Sequence, residues 1–274
     1  MEHIRQAVER AKANSGAQFQ AHASARPIGP RQPSASGAAG SDGADALTVA
    51  LDPIHLESMR IVGHDIMDRR SKPYDMLRTQ VLRAMQDQNW QLIAVTSPTP
   101  SCGKTLTAIN LALSITRQPE RSALLVDMDL QRPQIARTLG LKCDSGLLGV
   151  LEQRTTLSDA ILKARIGKHQ VAVLPCEAST SHSSEWMASR EMSTVIEDIR
   201  RDYSSQIVIL DMPPILSSDD VISILPRLDC VLLVAAVGVS TVSEIQECNR
   251  HLQSTEVVRV VLNKTAETGA GYYY

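Results

Sequence analysis

The chain has 274 residues, 43% of them hydrophobic and only 3% aromatic, and a formal net charge of −2. That is apolar material for one sizeable domain with an aliphatic core, and so even a charge balance gives no electrostatic footprint for nucleic acid. The 5 cysteines, an odd number without a Cys-x-x-Cys pair, argue against a disulfide framework or zinc site and fit a reducing compartment.

Taken in order, the chain opens with Glu2, Arg5, Glu9 and Arg10 and no apolar run of a leader. Ile4, Ala7, Val8 and Ala11 fall on one face of a short helix over residues 1–13, a segment equally compatible with a frayed terminus. Asn14 to Asp45 is rich in Ala, Ser, Gly and Pro, the composition of a disordered linker. Order resumes near Leu47 to Met67. Tyr74, Leu77, Val81 and Met85 then make a helical stripe across Lys72–Met85. No stretch approaches the ~20 apolar residues of a membrane span, which predicts a soluble chain that meets membranes only through a partner.

Leu92 to Val95 is a short apolar run suited to a buried strand. Thr96 to Cys102 holds two prolines and must be a loop. From Gly103 onward Leu106, Ile109 and Leu113 recur at helical spacing. Strand, loop and helix, with Gly103-Lys104-Thr105 at the helix start, is the layout of a phosphate-binding loop. Free N–H groups there point at an anion, Lys104 would reach the β- and γ-phosphates, and the Thr105 hydroxyl would ligate Mg²⁺. Pro98 replaces the glycine that usually opens the pattern, and Ser101 stands where glycine is frequent. If that backbone needs φ > 0, Ser101 costs roughly 1–3 kcal/mol of strain.

Two more apolar runs end in acids. Ala123 to Val126 leads into Asp127-Met-Asp129-Leu-Gln-Arg132-Pro133, and Ile207 to Leu210 into Asp211-Met-Pro213-Pro214. One acid after a buried strand is often only a helix cap. Three strand ends converging on one site favour function, since ligands bind at the carboxyl ends of parallel strands. Further on, Ser145–Glu152 and Leu157–Leu162 read as short helices, Gln170–Leu174 as a strand, and Ser184 leads into a helix ending near Tyr203. Asp219 and Asp220 suit a helix cap better than a metal site. Val231–Val237 and Val257–Leu262 are strands flanking a helix at Ser243–Leu252. The alternation predicts an α/β fold, a parallel sheet of about six or seven strands flanked by helices. The implied organisation is a helix and linker over 1–45, the main domain over 46–265, and a flexible tail over 266–274.

These motifs resemble the bacterial tyrosine kinases of the CpsD/CapB type, P-loop proteins related to the MinD/ParA group that accompany exopolysaccharide synthesis. The matching segments are Ser97–Thr105, Leu124–Pro133 (with one extra residue before its arginine) and Val208–Pro214, within a resemblance that covers about residues 70 to 274. It implies an ATP- and Mg²⁺-dependent protein-tyrosine autokinase regulating polysaccharide polymerisation and export. The loop residues Ser101, Cys102, Gly103, Lys104, Thr105 and Leu106 would bind nucleotide. Thr105, Asp127 and Asp211 would serve the metal, Lys104, Asp127, Asp129 and Asp211 would be catalytic, and Asn263 would contact adenine. Cys102, beside Lys104 at a helix start, would be a reactive thiol or an inert loop residue. Lys104, as a solvated loop side chain, should be replaceable without harm to the fold.

The partner implied is a membrane polysaccharide co-polymerase or chain-length determinant acting as activator, at the cytoplasmic side of the inner membrane, with homo-oligomerisation possible and no nucleic acid. The family's ring-forming helix start is matched only by Tyr74, Leu77 and Arg78; Lys72 and Asp75 reverse its charges, so a helix merely packed on the domain fits as well. If the last strand is parallel, the tail leaves on the ATP face, and about ten residues at ~3.3 Å each span roughly 33 Å. Tyr272, Tyr273 and Tyr274 would be the acceptors, between molecules. Two rivals stay open: a MinD/ParA-type ATPase, disfavoured by Thr99 where a second lysine would stand, and a non-catalytic nucleotide-binding regulatory subunit, kept open by Ser101 and Cys102.

Overall fold

A computed structural model describes residues 48–253 and 255–265; the expected N-terminal helix and linker and the three terminal tyrosines lie outside them. The strands are β1 (Thr48–Ala50), β2 (Leu92–Thr96), β3 (Ala123–Asp127), β4 (Leu162–Ile166), β5 (His169–Leu174), β6 (Ile207–Asp211), β7 (Cys230–Ala236) and β8 (Glu256–Asn263). They form one sheet in the order β1-β4-β5-β3-β6-β2-β7-β8, parallel throughout except between β4 and β5. The helices are α1 (Pro53–Ser58), α2 (Lys72–Gln88), α3 (Lys104–Thr116), α4 (Ile135–Leu139), α5 (Leu147–Leu151), α6 (Leu157–Ala160), α7 (Ser183–Ala188), α8 (Arg190–Asp202), α9 (Asp220–Ile224) and α10 (Val242–His251). None of them is long and apolar enough to cross a membrane.

Period-two alternation sorts the central strands onto two faces. Leu92 and Ala94 enter one core with Met192, Val195, Ile196 and Ile199 of α8. Ile93 and Val95 enter the other with α2 and with Ala108, Ile109, Leu111 and Leu113 of α3. Both faces are thus covered by helices, which explains why β2, β3 and β7 are fully buried and apolar up to Thr96 and Asp127 at the ends of the first two. Each aliphatic side chain removed from water contributes roughly 1.5–3 kcal/mol before chain entropy is counted.

The sheet is larger than the sequence suggests. The helix expected over Leu157–Leu162 ends at Ala160, and Leu162 begins β4. β4 turns into β5 through Gly167 (φ 55°) and Lys168, with Ile166 paired to His169. The helix expected to end near Tyr203 is α8, and the stretch from Ser184 that leads into it is itself helical, as α7; the two are separate because Ser189 is extended (φ −72°, ψ 164°) and its hydroxyl accepts the Met192 N–H as a cap. Asp219 occupies a cap position at α9 without capping it: Ser184 lies 2.5 Å from its carboxylate and 2.7 Å from that of Asp220.

The charge reversal on α2 has a structural reason. Asp75 accepts from Arg78 at 3.0 Å, from the Ser114 hydroxyl at 2.7 Å and from Arg117 at 2.9 Å. It fastens α2 to α3. A second tie comes from Asn110, fully buried in α3. Its Oδ1 accepts the N–H groups of Val62 and Gly63, both at 2.7 Å, and its Nδ2 donates to Leu106 and Arg60 carbonyls. A Cβ on Gly63 would sit 2.2 Å from the Asn110 carbonyl oxygen, so the segment can lie on the helix only as glycine.

Candidate nucleotide site

β3, β6 and β2 are neighbours, and their carboxyl ends share one register: Asp211 pairs with both Asp127 and Val95. The loop after β2 is braced on its own backbone and on β6: the Thr96 hydroxyl donates to the Pro213 carbonyl at 2.7 Å, and Ser97 to that of Thr99 at 2.8 Å. Ser101 does take φ 65°, the strained conformation its position implied. Gly103 precedes α3 at φ 92°, and a Cβ there would lie 2.1 Å from the Asn263 amide nitrogen. That amide donates to the Cys102 carbonyl at 2.9 Å, so the end of β8 supports the loop from behind. The adenine contact expected of Asn263 would have to coexist with this bond.

Of the two readings of Cys102, the inert one fits. Its thiol is fully buried and lies 3.3 Å from the Ser240 hydroxyl, on the core side of the loop. Only its main chain is available to a phosphate, and a reactive thiol is not what this position offers. Leu106 likewise turns its side chain to the core, leaving its first-turn amide. The 5 cysteines are all free.

Lys104 also departs from expectation: its side chain is only 12% exposed. Its ammonium lies 2.8 Å from Asp129 and 3.6 Å from Asp211, and Thr105 donates to Asp211 at 2.6 Å. Burial pulls the lysine pKa down, but the charges of Asp211 and Asp129 outweigh it, and the net direction is up. Asp127, fully buried, accepts the N–H groups of Gln134 and Ile135 at 2.9 Å each, where α4 begins. Burial first, and the charge of Asp211 second, push its carboxyl up to about 8. Asp211 is raised as well, by burial against the opposing pull of Lys104 and Thr105.

Thus Lys104, Thr105, Asp127, Asp129 and Asp211 meet at one place. Ser101, Cys102, Gly103 and Leu106 form the adjoining loop and helix start. Sequence reasoning missed the amides of Gln134 and Ile135 that hold Asp127, and the Asn110 tie behind the loop. An asparagine inside an otherwise apolar helical face was the available signal for the second.

The donor set fits a divalent cation held together with phosphates. Asp127 Oδ1 and Asp211 Oδ1 are buried without hydrogen bonds, the latter with Lys104 at 3.6 Å, and burial makes both acids hold protons more tightly than usual, so added positive charge would be favoured there. Among the described residues no group of three or more His, Cys, Asp or Glu forms a cage for a metal. Magnesium does not need one, since it binds through one or two side chains, water and substrate phosphates.

Residues 90–256 match the family described as the AAA domain. The chain belongs to that family. Its relatives place it with the bacterial tyrosine kinases. The candidate tyrosine-protein kinase EpsB of Ralstonia nicotianae is 31% identical over 192 residues, 68% of this chain and 24% of EpsB. The chain therefore spans about a quarter of that relative's length. Among solved structures, the kinase domain of the Escherichia coli tyrosine kinase ETK is 25% identical with a TM-score of 0.67, over 78% of this chain and 84% of that one. The cell-division ATPase MinD of Pyrococcus furiosus, 23% identical with a TM-score of 0.54 over 65% and 74%, shares the fold. This AAA-domain chain accordingly has the fold of the P-loop proteins.

Proposed function

We propose that the chain is an ATP-dependent protein-tyrosine kinase domain that phosphorylates copies of itself on Tyr272, Tyr273 and Tyr274, and so regulates exopolysaccharide or capsule polymerisation and export. The observation that carries this reading is the convergence of Lys104 and Thr105 with Asp129 and Asp211 within hydrogen-bond or ion-pair distance, from three different strand ends. Lys104 and the free N–H groups at the start of α3 would hold the phosphates. Thr105, Asp211 and Asp127 would hold Mg²⁺, which supplies neutralisation of phosphate charge when bound. Asp127 is kept in place through Oδ2 by two amides, and its Oδ1, without a hydrogen-bond partner, would engage either the incoming phenol or the metal, in both cases once bound positive charge has displaced its own proton.

The acceptor assignment is supported by the path of the chain. β8 is parallel to β7 and ends with Asn263 against the phosphate loop, so the last described residues lie on the reaction face. The activator in this reading is a membrane polysaccharide co-polymerase, which would bring the domain to the cytoplasmic side of the inner membrane; self-association would present one copy's tail to another.

Intact mass after incubation with ATP and Mg²⁺ tests the proposal. Gains of one to three phosphates, lost on deletion of Tyr272–Tyr274 while ATP binding persists, are expected. A deletion variant labelled as strongly as the full chain would remove the tail as substrate. An initial rate per molecule that does not rise with protein concentration below saturation would rule out transfer between molecules.

A further inference from the structure

The charge on the phosphate-binding lysine is already matched within the protein. Asp129 places Oδ2 2.8 Å from Lys104 Nζ, while its Oδ1 accepts the Arg132 N–H at 3.1 Å. The side chain is 7% exposed and held at both oxygens, so it cannot swing aside freely. The other two acids have different attachments. Asp127 is fixed to the amides before and at the start of α4, and Asp211 to the Thr105 hydroxyl, with its Oδ1 3.6 Å from Lys104. Asp129 is the carboxylate that accepts a hydrogen bond from the lysine.

This has a consequence for what can bind. A nucleoside diphosphate without metal brings several negative charges to a lysine whose charge is spent. The same nucleotide complexed with a divalent cation brings fewer, and the cation answers Asp127 and Asp211, each of which has one buried oxygen without a hydrogen bond, that of Asp211 lying 3.6 Å from Lys104. At contact distance in a partly buried site, one uncompensated charge changes binding by an order of magnitude or more. Resting on the phosphate-site reading above, we propose that Asp129 is a specificity-determining residue: by pairing with Lys104 it makes the site select metal–nucleotide complexes over metal-free nucleotide. Asp129 need not touch the metal to do this.

The experiment is calorimetric titration of the full chain with ADP, once with Mg²⁺ and once with EDTA, so that the readout is binding and not turnover. The wild type should show a large ratio between the two dissociation constants. In Asp129→Asn that ratio should shrink by about tenfold or more, chiefly because the EDTA arm tightens, the scale expected for one charge at contact distance. Asp129→Ser, which removes charge and volume, is the second variant and should move the same way. An unchanged ratio, or weaker EDTA-arm binding in both variants, overturns the proposal. If the wild type binds no ADP with Mg²⁺, it is the phosphate-site reading that has failed.

Discussion

Replacing the lysine of a phosphate loop is the usual route to an inactive control, and here it should also weaken the fold. Lys104 is 12% exposed and bridges Asp129 and Asp211, which are 7% and 0% exposed. Lys104→Met keeps most of the aliphatic stem but leaves two buried carboxylates without their cation. Removing one partner of a buried pair costs about 3–5 kcal/mol, whereas an exposed pair is worth at most about 1. Against a typical total of about 5–15 kcal/mol, that is a large fraction. Urea unfolding at neutral pH measures it directly. The double variant Lys104→Met/Asp129→Asn should recover about 1–3 kcal/mol of the loss, since it removes one of the stranded charges. If Lys104→Met lies within about 1 kcal/mol of wild type, or if the double variant is no more stable than the single, the ion pair is not the buried bridge described above. Loss of phosphorylation in Lys104→Met then needs a folding measurement beside it before it speaks for catalysis.

Two further outcomes follow from the same geometry. Asp127 holds its proton up to about 8, through burial and then Asp211, so the native state binds that proton more tightly than the unfolded chain; stability is lost as pH rises from the ordinary carboxylate range through about 8. Asp127→Asn should therefore gain on wild type across that window and level off above it while losing phosphoryl transfer, and a stability difference that does not vary with pH would refute the assignment. Asn110→Ala leaves the buried N–H groups of Val62 and Gly63 without their 2.7 Å acceptor, at about 2–6 kcal/mol for two such groups. Hydrogen exchange at those two amides should accelerate, and unchanged protection would show that another group satisfies them.

What could be read from the sequence was whatever a strand end and its next few residues determine together. Lys104, Asp127 and Asp211 each follow a buried apolar run, so their convergence needed only the rule for parallel sheets. β4 carried a signal of the same local kind: Leu162, Ala164 and Ile166 alternate, and Gly167-Lys168 is a two-residue hairpin loop. The preceding helical residues masked it. The three-residue β1 has no periodicity to read, and only its pairing with Lys163 to Arg165 makes it a strand. The burial of Lys104 was of another kind. A lysine in a glycine-containing loop reads as solvated, and its depth depends on Asp129, 25 residues on, and Asp211, more than a hundred residues on. The same holds for the Cys102 thiol, whose neighbour Ser240 is 138 residues away. Identity of the reacting groups was therefore local information, whereas their electrostatic state was not. That state decides whether a lysine is free to meet phosphate or already committed to a carboxylate, and it comes into being only when β3 and β6 pair and bring Asp129 and Asp211 to the start of α3.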